Sequence, residues 1–421
     1  MRIHDLPPEI IDDILFNSDP LDVASVSQSS RYFYAHIYHA PDRHLWRGLY
    51  LAQPLDDPEK CVSPLGSPRV GEFDWKGELQ AIIRARTVLE NPKVCKQEER
   101  CTILRTLIKM VLWVPPLQSA SDILKEDKIS QNLLWVAAEC RKGALLDPET
   151  FDWEPTEEEE DLRAQLHTLL GVTPRDWKEE ARLESRAFVY LMRNYNWRNE
   201  FGPFLESDSG ANRVDWVHVR HLHRDISMKL LQGMEGAEQL DVCIYHLSSP
   251  YTQLIIPEGL NLDEEEDWAG VGGTWDVSFC FCDHHLLIRY NHSDIHNGGI
   301  PDTSILAGAS FQEVFRTMAI QLHVTKVVHD DKHPTRPVIF FGGQIAGPIN
   351  TIMSGSVRLT DDDQIRWHFV SGELGNPIWS GEGIQVGGVR SAYGVLGAWT
   401  TIFHDRDDPV GPFWLRKHLE S

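Results

Sequence analysis

Cys280-x-Cys282-x-His284-His285 is the densest run of metal-competent side chains in the sequence. Along one continuous strand, positions 280, 282 and 284 would share a face, where two thiolates and an imidazole could hold zinc. Structural zinc takes two such pairs, with ligands about two to four residues apart. The only other cysteine nearby is Cys243, and no second pair exists. The run therefore reads as small strand residues followed by a polar turn at Asp283–His285, with no metal and no cofactor assigned. His218-x-x-His221-x-His223 sits beside Arg220 and Arg224. Its plain reading is an exposed basic helix in an acidic protein; the sharper one is a site for an acidic or phosphorylated ligand. Gly342-Gly343-Gln344-Ile345-Ala346-Gly347 follows the apolar run Val338–Phe341. It lacks both the dinucleotide-binding spacing and the Gly-Lys-Ser/Thr of a P-loop, so a tight turn or bulge is expected. Asp361-Asp362-Asp363 reads as a turn, without the remaining oxygen ligands of a calcium loop. No nucleophile elbow, His-Glu-x-x-His or kinase signature is present, and no catalytic residue is assigned.

The chain that must position these residues has 421 of them, room for about two to four domains at ~150 residues each. Apolar residues make up 42%, and 14 are Trp, which is material for more than one core. Lys and Arg total 40 against 63 Asp and Glu, a net charge of −23. Such a chain repels phosphate backbones and anionic lipid surfaces, and no long basic run offsets this. Nucleic acid and membrane are not expected partners. Seven cysteines without a paired framework fit a reducing compartment. The start, Met1-Arg2-Ile3-His4-Asp5-Leu6-Pro7-Pro8-Glu9, is not a secretory leader, and no window reaches the ~18 apolar residues of a spanning helix. The expectation is a soluble intracellular protein, cytoplasmic or nuclear.

Three regions follow from periodicity. Residues 1–50 read as short helices: Asp5 caps a first one bearing Ile10, Ile11, Ile14 and Leu15, Asp19-Pro20 starts a second, and Ser29-Ser30 a third. Pro54–Pro68 holds four prolines and reads as a linker or surface loop. The middle region predicts helices over 76–90, 97–114, 130–141, 156–170, 175–196 and 214–234, with Ile103, Leu104, Leu107, Ile108 and Val111 on one face. After five consecutive acids at Asp263–Asp267 the period drops to two. Strands are predicted around 275–281, 286–290, 320–325, 337–341, 357–359, 365–369, 384–390 and 395–403, with one helix near 310–317 and with Trp275, Trp367 and Trp399 inside. That many strands suggests an antiparallel sandwich or barrel.

The N-terminal stretch resembles an F-box. The matching blocks are Leu6-Pro7-x-Glu9-Ile10-x-x-x-Ile14-Leu15, Asp19-Pro20-Leu21-Asp22-Val23, Val26-Ser27-Gln28-Ser29-Ser30-Arg31-Tyr32-Phe33 and Leu45-Trp46. Their order and spacing agree with the family over residues 3–49. Three short helices cannot hide this much apolar surface internally, so part of it is expected to meet a partner. The resemblance implies that this partner is the Skp adaptor subunit of a cullin–RING ubiquitin ligase. It implies that Leu6, Pro7, Ile10, Leu15, Leu21 and Val26 face the adaptor, with Trp46 closing the module. The alternative is a helical cap on the next domain. Gly273-Thr274-Trp275, at the first predicted strand, resembles the Gly-x-Trp of lipocalin-like barrels; another antiparallel β fold is the competing expectation.

The expected fold is thus α+β and multidomain: a three-helix F-box over 1–50, a linker over 51–71, a helical domain over 72–262 and an antiparallel β domain over 263–421. The expected function is a non-catalytic adaptor that docks on the Skp subunit of the ligase core and recruits a substrate protein. Two alternatives stand beside it: a barrel that senses a small apolar ligand, and an intracellular enzyme with a helical N-terminal cap. Candidate substrate-contacting loops are 290–297, with Tyr290, His292 and His296, and 330–336, with Lys332, His333 and Arg336. The net negative charge favours a basic partner at encounter.

Overall fold

Asp19 and Ser30 begin helices as their side chains allow: Asp19 accepts from Leu21 N at 2.9 Å and Ser30 from Phe33 N at 3.3 Å. In the computed structural model these caps open α2 (Pro20–Ser29) and α3 (Arg31–Tyr38), preceded by α1 (Pro8–Phe16) and followed by α4 (His44–Leu51). The structure describes residues 6–39, 44–142, 145–146, 154–208, 212–236, 247–293, 299–308, 311–345, 351–373 and 375–418. Asp5, read above as a cap, lies outside them, as do Cys243 and His296. The chain divides into two compact units. The first comprises Met1–Ser63, Ser67–Pro115 and Ser130–Glu159; the second comprises Pro64–Gly66, Pro116–Ile129 and Glu160–Ser421.

In the first unit the four short helices are joined by α5 (Trp75–Glu90), α6 (Arg100–Leu112) and α7 (Gln131–Lys142). The 3.6 period of α6 does what it predicts: Ile103, Leu104, Leu107, Ile108 and Val111 are all buried. Arg86 on α5 reaches Asp19 at 2.8 Å and holds its carboxyl below the ordinary range. The Pro54–Pro68 stretch carries no helix or regular strand, but it is anchored. The Asp56 carboxylate is buried and accepts from Gln131 N, Asn132 N and the Ser130 hydroxyl at the start of α7.

The second unit takes in most of α8 (Glu157–Leu170), then α9 (Glu179–Val189), α10 (Trp216–Gly236) and α11 (Ser249–Thr252). The single helix expected over 175–196 is broken. Pro174–Trp177 and Met192–Asn194 are separate 3-10 turns, because Thr173 and Asp176 cap locally and Tyr190 ends α9. Eight strands follow: β1 (Gly273–Cys282), β2 (Glu313–Val328), β3 (Val338–Ile345), β4 (Thr351–Leu359), β5 (Ile365–Glu373), β6 (Asn376–Gln385), β7 (Val395–Thr401) and β8 (Gly411–Lys417). Each pairs antiparallel with the next, and β1 pairs with β8, so the sheet closes into a barrel. The predicted antiparallel β region is therefore a barrel rather than a sandwich.

Three local expectations are corrected. Residues 286–290 are not a strand but part of α12 (His284–Asn291), because Asp283 caps it by accepting from Leu286 N at 3.0 Å. A second short helix, α13 (Ser304–Ala307), lies where none was expected, and 313–317 are strand rather than helix, paired with Cys282–Ser278 of β1. Residues 386–390 leave the sheet, since β6 ends at Gln385. The turn at Asp361–Asp363 stands as read, joining Val357↔Trp367 and Leu359↔Ile365 pairs. Gly342 and Gly343 lie inside β3, beside a register shift opposite Val324 and Lys326, rather than in a loop.

The barrel is filled by rings from opposite strands. Trp275 meets Trp367 at 5.2 Å, Phe341 meets Trp367 at 5.3 Å, and Phe369 meets Phe413 at 5.0 Å. Trp275, Trp367 and Trp399 are all buried, as the two-residue period requires. Helix α10 lies against β7 and β8 from outside and packs on α9. Among the described residues, no helix is long and apolar enough to cross a membrane.

Candidate functional sites

Helices α1 and α2 divide their apolar residues between two tasks. Ile11, Leu15 and Val23 are buried in the first unit's core. Ile10, Ile14 and Leu21 remain 45%, 51% and 46% exposed. Pro7 is exposed, while Leu6, Val26 and Trp46 are half-buried. The Trp46 indole donates to the Ile37 carbonyl at 3.0 Å, which ties α4 to α3. Of the six residues assigned above to the adaptor face, Leu15 is the exception. At 3% exposure its side chain belongs to the module's own packing and has nothing left to offer a partner. Ile14 was not assigned, yet it is more exposed than Ile10 or Leu21; its place one helical turn after Ile10 is the signal that identifies it.

The candidate loops of the second unit fare differently from one another. Tyr290 is buried within α12, and its hydroxyl donates to the Ala187 carbonyl at 2.9 Å. His292 follows the helix, lies 2.9 Å from Asp407, and borders a pocket shared with Trp197, Phe201 and His404. Lys332 is exposed and pairs with Asp361 at 2.8 Å, and His333 lies 3.2 Å from Asp330. Arg336 is buried: it donates to the Leu65 carbonyl at 2.7 Å and to Asp263 at 2.6 Å. Two of the named side chains, Tyr290 and Arg336, thus hold the structure together rather than present a surface.

The histidine helix is also not the exposed basic face expected of it. His218, His221, His223 and Arg224 on α10 are all buried. Each imidazole meets a hydroxyl: His218 meets Tyr195 at 3.2 Å, His221 meets Ser185 at 3.0 Å and His223 meets Tyr393 at 2.7 Å. Burial pushes the pKa of His218 down to about 4 and that of His223 down to about 3, and it also lowers that of His221. These rings are neutral at physiological pH and act as hydrogen-bonding parts of the interior. Burial also pushes Asp225 up to about 7, helped by the neighbouring Glu313 carboxylate and opposed by Lys229 and Arg186.

No family model matches the chain, and neither a curated protein nor a solved structure matches it.

Cys280, Cys282, His284 and His285 do not share a strand face, because β1 ends at Cys282 and His284 opens α12. Cys280 is fully buried and burial pushes its thiol up, whereas the His284 ring reaches the Asp407 carbonyl at 2.9 Å. Among the described residues no cluster could hold a metal ion.

A further cavity was not legible from any motif. At the end of the barrel where β1 finishes and β8 starts, a cleft of about 320 Å³ is lined by Phe279, Phe281, Met318, Ile345, Trp379 and Trp399. Thr351, Ser371 and Glu373 supply polar atoms at its edge. Seven strands, β1 to β7, contribute the apolar or polar wall, and each brings one to three residues, so no short stretch of sequence declares it.

Proposed function

We propose that the chain is an F-box-type substrate adaptor. In this reading its N-terminal helices dock on the Skp subunit of a cullin–RING ligase, and its second unit holds the protein to be ubiquitinated. The chain performs no chemistry itself; it raises the local concentration of a substrate lysine near the charged conjugating enzyme. The observation that carries this is the row Pro7, Ile10, Ile14 and Leu21, left exposed at the start of α1 and along α1 and α2, while Ile11, Leu15 and Val23 of the same helices fill the core. Exposed apolar rows on a small helical module suit a helix-lined partner surface. Changing Ile10→Asp together with Leu21→Asp should weaken co-purification with the Skp subunit by at least about tenfold. Thermal stability should stay nearly unchanged, because neither side chain is in the core. Undiminished binding by a folded double variant would remove this reading.

The barrel cleft favours a second role, capture of a small apolar ligand. Its volume of about 320 Å³ lies near the lower end of small-molecule pockets, ~300–1,000 Å³, and its wall is largely aromatic. N-phenyl-1-naphthylamine should bind with enhanced fluorescence, and Thr351→Trp, which fills the cleft from its edge, should abolish the enhancement. The same signal from both proteins would place the dye elsewhere and end the proposal.

A further inference from the structure

Where α10 passes the start of β2, two buried carboxyl groups share two cations unevenly. Glu313, opposite Cys282 in the β1–β2 register, keeps only 1% of its side chain exposed. Its Oε2 takes both cations: Arg186 of α9 at 2.8 Å, and the Lys229 ammonium of α10. Asp225, one helical turn before Lys229, is buried as well, and it makes no ion pair among the described residues. Its Oδ2 is buried without a hydrogen-bond partner, as are Glu313 Oε1 and the Tyr190 hydroxyl.

An ionised Asp225 would be a desolvated charge, without a cation of its own, beside a second negative charge. Protonation removes that cost and gives the carboxyl an O–H to donate. Burial is the largest effect and Glu313 adds to it, while Lys229 and Arg186 oppose them; the carboxyl is pushed up to about 7. Tyr190 and Tyr195, which follow α9, and Cys280 and Cys282 of β1 also lie around it. Burial pushes all four up, so they stay neutral at physiological pH.

We propose that Asp225 is a proton-operated catch between α10 and the barrel: protonated, it lets the helix close on β1 and β2; ionised, it loosens that junction. The same helix packs on α9, β7 and β8, so a charge placed beneath it acts where the helices meet the barrel. Linkage fixes the sign. A carboxyl whose folded pKa lies above its unfolded value holds more protons in the folded chain. Its contribution to stability is therefore complete below 3.8 and is lost as pH rises to about 7. The buried His218, His221 and His223, whose folded values are lowered, act in the opposite sense. The informative comparison is thus between two chains at each pH. None of this depends on what the N-terminal helices bind.

Asp225→Asn supplies an uncharged side chain of the same shape. Chemical denaturation of both full chains at pH 5 and pH 8 tests the catch. From the lower to the higher pH, the unfolding constant of the unaltered chain should rise at least about tenfold relative to the variant, since each unit of pKa separation is worth a factor of about ten. In the unaltered chain, amide hydrogen exchange of α10, corrected for the intrinsic effect of pH, should quicken over the same range relative to α6. A variant that does not fold, or one destabilised by the same factor at both pH values, overturns the proposal. So does exchange in α10 that keeps step with α6.

Discussion

Arg224→Ala should destabilise the second unit by about 3–5 kcal/mol, the usual consequence of removing one partner from a buried ion pair. Arg224 Nε lies 2.6 Å from Asp176, and its Nη1 donates to the Ser185 hydroxyl at 3.1 Å. Asp176 is fully buried and also accepts from Thr173 N at 2.6 Å, with His167 Nε2 2.7 Å away. Burial alone would raise the carboxyl's pKa; His167 and Arg224 more than reverse this and hold it far below the ordinary range. Without Arg224 the interior keeps a buried carboxylate that has lost the guanidinium paired with it. Chemical denaturation followed by near-ultraviolet circular dichroism reads the loss. In the double variant Arg224→Met with Asp176→Leu, the costs should sum to clearly less than the two single changes. A single-variant cost below about 1 kcal/mol would mean that the network is not the internal brace its geometry implies.

Gly355→Ala should cost about 3 kcal/mol or more, a large effect for one methyl group. A Cβ at 355 would lie 2.1 Å from the His368 carbonyl oxygen of the paired strand, 2.6 Å from Phe341 Cζ and 2.9 Å from Phe369 Cα. Two of those atoms are backbone of β5, so relief requires the β4–β5 ladder to part. Pairing the change with Phe341→Leu should recover only part of the loss, because the carbonyl remains in place. Gly272→Ala is the matched comparison: its nearest neighbour is a side-chain oxygen of Asp267 at 3.3 Å, and it should be tolerated. Similar melting temperatures for the two glycine variants would contradict the packing account.

The sequence displays elements whose partners are near and hides those whose partners are remote. Helix α6 was legible because its own stripe is periodic, and the β4–β5 hairpin because its turn carries three acids. The strand β6 was read too late because Gly381 and Gly383 interrupt the apolar alternation; those positions are small so that Phe369 and Phe413 can lie against them. Helix α12 was mistaken for a strand because Leu286, Leu287 and Ile288 are too short a run for period to decide, and the Asp283 cap is the better signal. The burial of His218, His221 and His223 could not be read, since their hydroxyl partners come from Tyr195, Ser185 and Tyr393. At the candidate docking face, the stripe over Ile10, Ile14 and Leu15 was visible, but which member turns inward was not. That choice is made by the fit of α1 against α4.

The barrel also sets a timetable for synthesis. Every ladder but one joins neighbours in sequence, and the exception joins β1, which ends at Cys282, to β8, which begins at Gly411. At about 5–20 residues per second, the ribosome needs on the order of ten seconds to go from one to the other. Once β2 (Glu313–Val328) has been made, β1 has that strand on one side and an open edge on the other for the rest of the interval, with Trp275, Val277 and Phe279 awaiting Lys417, Leu415 and Phe413. A nascent chain stalled between those two strands would be a sticky intermediate, ready to pair with another copy or to be taken up by a chaperone.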